Sequence, residues 1–110
     1  MFTYGTLMDN SIRLRVLGKE TIPYPAELSD YVLTNHSYSP FLTIKKSVGN
    51  VVKGIIFNVN DKDIKNLDRY EGGLYDRIIV NVKVNYNSSY ECFTYIEKDY
   101  KKFLTQNPIF

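Results

Sequence analysis

From Ile78 onward, Ile78, Val80, Val82, Val84 and Tyr86 alternate with Ile79, Asn81, Lys83 and Asn85. A period of two puts each set on its own face of a β-strand, so this stretch limits the fold more than any other in the chain. Asn87-Ser88-Ser89 then turns the chain into a partner strand over Tyr90–Glu97, which makes the pair a β-hairpin. The run Val51–Val59 reads as a further strand, apolar on both faces toward its middle as a strand inside a sheet should be. Gly54 within it marks close approach by another backbone, or a bulge.

The remaining elements are shorter. Met1–Tyr4 reads as a strand that Gly5 ends, followed by a short helix capped by Asn10 or Ser11 and closed by Gly18. Pro23 and Pro25 interrupt any central strand, leaving pieces at Ala26–Thr34 and Phe41–Ile44 joined by an Asn35-His36-Ser37 turn. One helical turn is expected around Tyr100–Leu104. A chain of 110 residues makes one domain, residues 1–110. Several strands, one principal helix and short connections favour the α+β class, as a small mixed β-barrel with flanking short helices.

The principal helix is Asp61–Glu71. Asn60 or Asp61 can cap its start, and Gly72-Gly73 can take the positive φ needed at its end. Ile64, Leu67 and Glu71 stand at i, i+3 and i+7, so Glu71 shares the apolar face and points inward. A carboxylate there, beside the negative end of the helix dipole, holds its proton more tightly than one in water. Such a group can shuttle protons near neutral pH. The plainer alternative is a Glu71 at the rim, in water or paired with Arg77.

A second feature lies at the N-terminal end, where a strand, Gly5 and a helix start follow one another. Backbone N–H groups freed by the turn, with the Thr6 hydroxyl, would suit an anion. By itself Tyr4-Gly5-Thr6-Leu7 is equally a tight turn.

Charge excludes several classes. The net charge is +2 with both signs interspersed, and Lys45-Lys46 and Lys101-Lys102 are the only basic doublets, too few for a nucleic-acid track. Cys92 stands alone, which excludes an internal disulfide and a thiolate metal site, and His36 has no ligand-like neighbours. No metal or cofactor is expected. No apolar run approaches a membrane span and the first residues do not form a signal peptide, so a cytoplasmic protein without a membrane partner is expected.

Tyr4-Gly5-Thr6-Leu7, Gly54 in the middle strand, and Leu67-Asp68-x-Tyr70-Glu71-Gly72-x-x-Tyr75-x-Arg77 before a strand together resemble the γ-glutamylcyclotransferase-like (AIG2-like) family. The resemblance implies a small barrel whose cavity receives a γ-glutamyl group. It also implies that Tyr4, Gly5, Thr6 and Leu7 bind the substrate and that Glu71 is the catalytic general acid/base. The implied reaction is a cyclising transferase-lyase type, in which the α-amino group of a γ-glutamyl amide attacks its own side-chain carbonyl. Its products are 5-oxoproline and a free amine. Because the nucleophile belongs to the substrate, one carboxylate suffices. A catalytically inactive small-molecule-binding domain, or a protein-interaction domain with an apolar patch near Asn107-Pro108-Ile109-Phe110, stays open as the alternative.

Overall fold

The computed structural model describes residues 1–37 and 39–98. The expected helical turn at Tyr100–Leu104 and the C-terminal apolar residues lie outside them. The elements in order are β1 (Phe2–Thr3), a 3-10 turn (Thr6–Met8), α1 (Asn10–Leu17), β2 (Tyr24–Asn35), β3 (Leu42–Ile56), α2 (Asp61–Glu71), a 3-10 turn (Gly72–Leu74), β4 (Tyr75–Asn85) and β5 (Ser88–Glu97). The strands form one sheet in the order β1-β3-β2-β4-β5, and every recorded pairing is antiparallel.

The α+β class with short flanking helices holds. Among the described residues the sheet is antiparallel throughout, and backbone bonds do not close it into the expected mixed barrel. β1 has two paired residues, both on β3, before Gly5 leads the chain away, and no backbone pairing of β1 with β5 occurs among the described residues. Side chains join these two edges instead. Thr94 Oγ1 donates to Phe2 O at 2.9 Å, and the Tyr4 hydroxyl donates to Tyr95 O at 2.6 Å.

The core has two parts, divided by the sheet. Phe2, Ala26, Leu28, Ile44, Val52, Val80 and Val82 fill one side, while Met1, Leu7, Leu17, Phe57, Leu67 and Tyr95 gather where the helices pack. Neighbours in sequence fall in different parts, as Met1 and Phe2 do, because alternate strand residues face opposite ways. The inward row expected of β4 is present, with Val80 and Val82 buried and Ile79 exposed.

Several boundaries differ from the sequence reading. The pieces at Phe41–Ile44 and near Val51 are one strand, β3, because four residues, 47–50, bulge out opposite Asp30 without ending the ladder. Asp30 takes a φ of 66°, and its Oδ1 accepts from the N–H of Gly49, which has a φ of 89°. Pro25 lies within β2, the middle strand. It is tolerated because β2 pairs with β4 only at Glu27↔Lys83, which leaves Pro25 a partner on the β3 side alone.

The hairpin turn is Tyr86-Asn87, where the Asn85 side chain accepts from the Asn87 N–H, so Tyr86 projects fully into solvent instead of extending the inward row. Asp9 caps α1, accepting from Ser11 and Ile12 N–H, while Asn10 accepts from Arg13. Asn60 caps α2 in a reciprocal pair with Asp63, which Lys19 also engages at 2.7 Å. No helix among the described residues is long and apolar enough to cross a membrane.

Candidate active site

Glu71 is the last residue of α2, and Gly72 beyond it takes the expected positive φ of 74°. Leu67 is fully buried and Ile64 and Glu71 are half-buried, so the helix presents the face that the i, i+3, i+7 spacing requires. Glu71 opens onto a cavity of about 540 Å³ whose lining also includes Tyr4, Gly5, Thr6, Tyr70 and Tyr75. No hydrogen bond or ion pair among the described residues reaches its carboxylate. Burial alone pushes its pKa up to about 7. Arg77, the alternative partner, is engaged elsewhere, donating to Asp68 at 2.5 Å.

The Tyr4–Leu7 stretch forms the facing wall, and its four residues have separate placements. Tyr4 packs its ring beside Phe2, at 6.4 Å between centroids, and spends its hydroxyl on Tyr95 O. Burial, with smaller contributions from Tyr75 and Glu71, holds the Tyr4 hydroxyl above the ordinary tyrosine range. Gly5 and Thr6 line the cavity, and Thr6 Oγ1 shares a 2.7 Å hydrogen bond with the Tyr70 hydroxyl. Leu7 does not line it, because its side chain is buried in the core beneath α1 and α2.

The 3-10 turn uses the N–H groups of Met8 and Asp9 to bond Gly5 O and Thr6 O. The N–H groups of Gly5, Thr6 and Leu7 have no partner among the described residues, the usual state of a helical start. Gly5 has a φ of −119° and a ψ of −137°, so it does not take a positive φ.

Arg13 fixes this wall from behind, and sequence reasoning missed it. Its guanidinium is buried, donates to Leu7 O and Met8 O at 2.8 Å each, reaches Thr21 Oγ1 at 3.0 Å, and lies over the Phe57 ring. An arginine among the apolar residues of a short helix carries no signal of its own, because its partners are carbonyls that only the turn exposes.

The third wall was also unforeseen. The end of the β2–β3 hairpin folds over the cavity and contributes Pro40, Phe41 and Leu42. His36, expected in a turn, is buried beneath it: Nε2 meets Leu74 O at 3.1 Å and the ring lies 5.0 Å from that of Tyr75. The Tyr75 hydroxyl donates to Leu42 O at 2.8 Å, and Glu97 accepts from Ser37 N–H at 3.0 Å. These bonds tie the hairpin end to the residues following Glu71. The exposed Pro40-Phe41 pair in a turn is the only sequence signal for it.

No group of three or more His, Cys, Asp or Glu side chains that could hold a metal occurs among the described residues. Cys92 is half-buried against the core, and burial raises its thiol pKa. A second hollow of about 760 Å³, with Ile56, Phe57, Tyr90 and Cys92 in its lining, contains none of the motif residues.

Known proteins are similar to this chain in sequence and fold. A curated Arabidopsis thaliana relative, Protein AIG2 C, is 28% identical over 103 residues, covering 90% of this chain. The chain spans 62% of that relative's length. A solution structure of an Arabidopsis thaliana protein superposes with a TM-score of 0.76 at 25% identity, covering 96% of this chain and 72% of that one. A structure titled "Gamma-glutamyl cyclotransferase" superposes with a TM-score of 0.77 at 22% identity, covering 88% of this chain and 64% of that one, a likeness of fold. The family described as "Gamma-glutamyl cyclotransferase, AIG2-like" matches residues 1–108, nearly the full sequence, and the chain therefore belongs to that family.

Proposed function

We propose that the protein is a γ-glutamylcyclotransferase-type enzyme that releases 5-oxoproline and a free amine from a small γ-glutamyl amide. The observation that carries this reading is Glu71: a carboxylate with no hydrogen-bond or ion-pair partner among the described residues, half-buried at a cavity wall, with its pKa raised to about 7. Near neutral pH both of its protonation states are populated, which is what a group that takes and returns a proton needs. Family membership and the unpartnered N–H groups of the facing wall support the same reading.

In the proposed reaction the Gly5 and Thr6 N–H groups and the Thr6 hydroxyl hold the substrate's α-carboxylate. Tyr4 shapes the wall, and Leu7 anchors the loop in the core. Glu71 takes a proton from the α-ammonium group, and the freed nitrogen attacks the γ-carbonyl carbon to close a five-membered ring. The bond from that carbon to the amide nitrogen then breaks as the proton passes from Glu71 to the leaving nitrogen, and the ring nitrogen gives its second proton to the freed amine, which leaves as the ammonium. Folding the substrate into attacking geometry supplies much of the acceleration, since the nucleophile and the carbonyl are already in one molecule. The substrate is the partner in this proposal, and the cytoplasm is its setting.

The test is a panel of γ-glutamyl amides, including γ-glutamyl-amino acids and γ-glutamyl-ε-lysine, incubated with the purified protein. Free amine and 5-oxoproline should appear in equal amounts, without free glutamate. Release of glutamate would mean hydrolysis. Binding of a γ-glutamyl compound with no turnover of any member would favour the inactive binding domain.

Gly5→Ala tests the loop separately. A Cβ at Gly5 meets nothing within 4 Å and the φ is negative, so stability should change by no more than about 1 kcal/mol. Affinity for γ-glutamyl amides should nevertheless fall, because the added methyl group obstructs backbone approach. Unchanged binding and turnover would show that no ligand touches this backbone.

A further inference from the structure

Arg13 is 1% exposed, and each hydrogen bond of its guanidinium ends on a neutral oxygen: Leu7 O, Met8 O, Thr21 Oγ1 and the Asn10 amide oxygen. Asp9, one turn earlier in the chain, directs its carboxylate to the Ser11 and Ile12 N–H groups instead. Among the described residues no ion pair involves Arg13. A buried cation without an anion is costly, and buried charges are normally paired. The bonds of this one run toward the cavity in a connected line. Arg13 donates to Leu7 O, and the N–H of that same peptide unit, which is Met8 N–H, donates to Gly5 O at 3.0 Å. The N–H of the Gly5 unit in turn is that of Thr6, a residue of the cavity wall. Each peptide unit is a rigid dipole, so a cation on the first oxygen strengthens every donor after it.

We propose that Arg13 is a positioning residue that supplies, through these two peptide units, the positive charge drawing the substrate's α-carboxylate onto the Gly5-Thr6 wall. This rests on the γ-glutamyl reading of the same site. The bound carboxylate is then the anion that the buried guanidinium lacks within its own surroundings. The action is indirect, because Arg13 does not line the cavity and stays behind the turn, over the Phe57 ring. The same N–H groups can hold a neutral carbonyl oxygen, but only an ionised oxygen gains from the charge behind them. The wall therefore selects a free α-carboxylate over an α-amide, and Arg13 sets the margin.

The test uses two pairs of compounds that differ in one charge: 5-oxoproline against its carboxamide, by calorimetric binding, and γ-glutamyl methylamide against its α-carboxamide, by kcat/KM. The parent should favour the carboxylate of each pair at least about tenfold, the margin of a charge-assisted over a neutral hydrogen bond. Arg13→Gln can still donate to the turn but carries no charge, so it should remove most of that ratio, while Arg13→Lys should keep most of it. Asn10→Asp decides the matter even where Arg13→Gln does not fold. Asn10 is exposed at the start of α1, where an acidic residue suits the helix dipole, and an aspartate there sets a carboxylate against Arg13 without removing any of its bonds. The ratio should fall at least about threefold in Asn10→Asp, with the unfolding midpoint unchanged or raised. A merely structural Arg13 would leave that ratio where it was. A parent that binds or turns over these compounds without preferring the carboxylate, or an Asn10→Asp ratio equal to the parent's, would overturn the role of Arg13 and leave the γ-glutamyl reading intact. A parent that neither binds 5-oxoproline nor turns over γ-glutamyl methylamide would instead remove the γ-glutamyl reading and this inference with it.

Discussion

Glu71→Gln should lower turnover of a γ-glutamyl amide by about 10² to 10⁴, the range that general acid/base catalysis supplies. Glutamine keeps the size of the side chain and its place on α2 but cannot carry the proton. Substrate binding should therefore survive better than kcat. For the parent protein the rate should climb with pH through about 7 as Glu71 ionises. Stability should move the other way. A carboxyl whose folded pKa of about 7 lies above its ordinary 4.5 binds more protons folded than unfolded between those values. Its contribution is fully present below the ordinary pKa and is lost as pH rises toward 7. Glutamine has no such titration, so the variant should be at least as stable as the parent at pH 8, and this part of the pH dependence of unfolding should disappear. Denaturant titrations at pH 4 and pH 8 check both statements. A variant clearly less stable at pH 8 would make Glu71 a structural hydrogen-bond centre instead.

Gly54→Ala is expected to have the largest effect on folding. A Cβ there would stand 2.3 Å from Thr3 O and 2.9 Å from the Phe2 ring, where no room exists. Gly54 pairs with Ala26 across the ladder while β1 lies close beside it, so the clash cannot be relieved by turning one flexible side chain. The cost should be at least the about 1–3 kcal/mol of overpacked cores. For a domain of this size that lowers Tm by about 4–8 °C for each kcal/mol. Thr3 leads directly into Tyr4-Gly5-Thr6, so substrate affinity should fall along with stability. Gly5→Ala is the matched control, a glycine in the same region whose replacement should leave the fold unchanged. If Gly54→Ala unfolds within about 0.5 kcal/mol of the parent, the close approach of β1 is wrong.

The two glycines show what could be read from the residues and what could not. Gly54 stands in a strong β run where side chains are otherwise large, so the missing side chain signalled a neighbour, and β1 is that neighbour. Gly5 stands at a boundary, where a turn, a positive φ and a ligand contact leave the same trace. The face of α2 was legible because a 3.6-residue period needs only local sequence, and so was the inward row of β4. The walls opposite Glu71 were less so. The unpartnered N–H groups depend on a 3-10 turn held from behind by Arg13, and Phe41 reaches the cavity from the end of a hairpin whose path past the irregularity at Asp30 is tertiary. Pro25 misled for a related reason: a proline is excluded from a strand paired fully on both sides, and only the tertiary pairing shows that β2 is not.

The side-chain link between β1 and β5 bears on the order in which the molecule can be made. Thr94 and Phe2 are 92 positions apart in the chain, and Tyr4 and Tyr95 are 91 apart. Loops of that length close late, because the entropy of closure comes before any contact rewards it. A chain emerging from the ribosome can build the β2–β3 hairpin and α2 early, yet the Tyr4 hydroxyl lacks its Tyr95 partner until β5 has been synthesised. Until then the edge of β1, the apolar ring of Tyr4 and the cavity behind them stand open to other chains, the state in which a sheet protein is most prone to aggregate. Conditions that delay β5 should therefore lower the yield of folded protein more than conditions that slow the earlier hairpin.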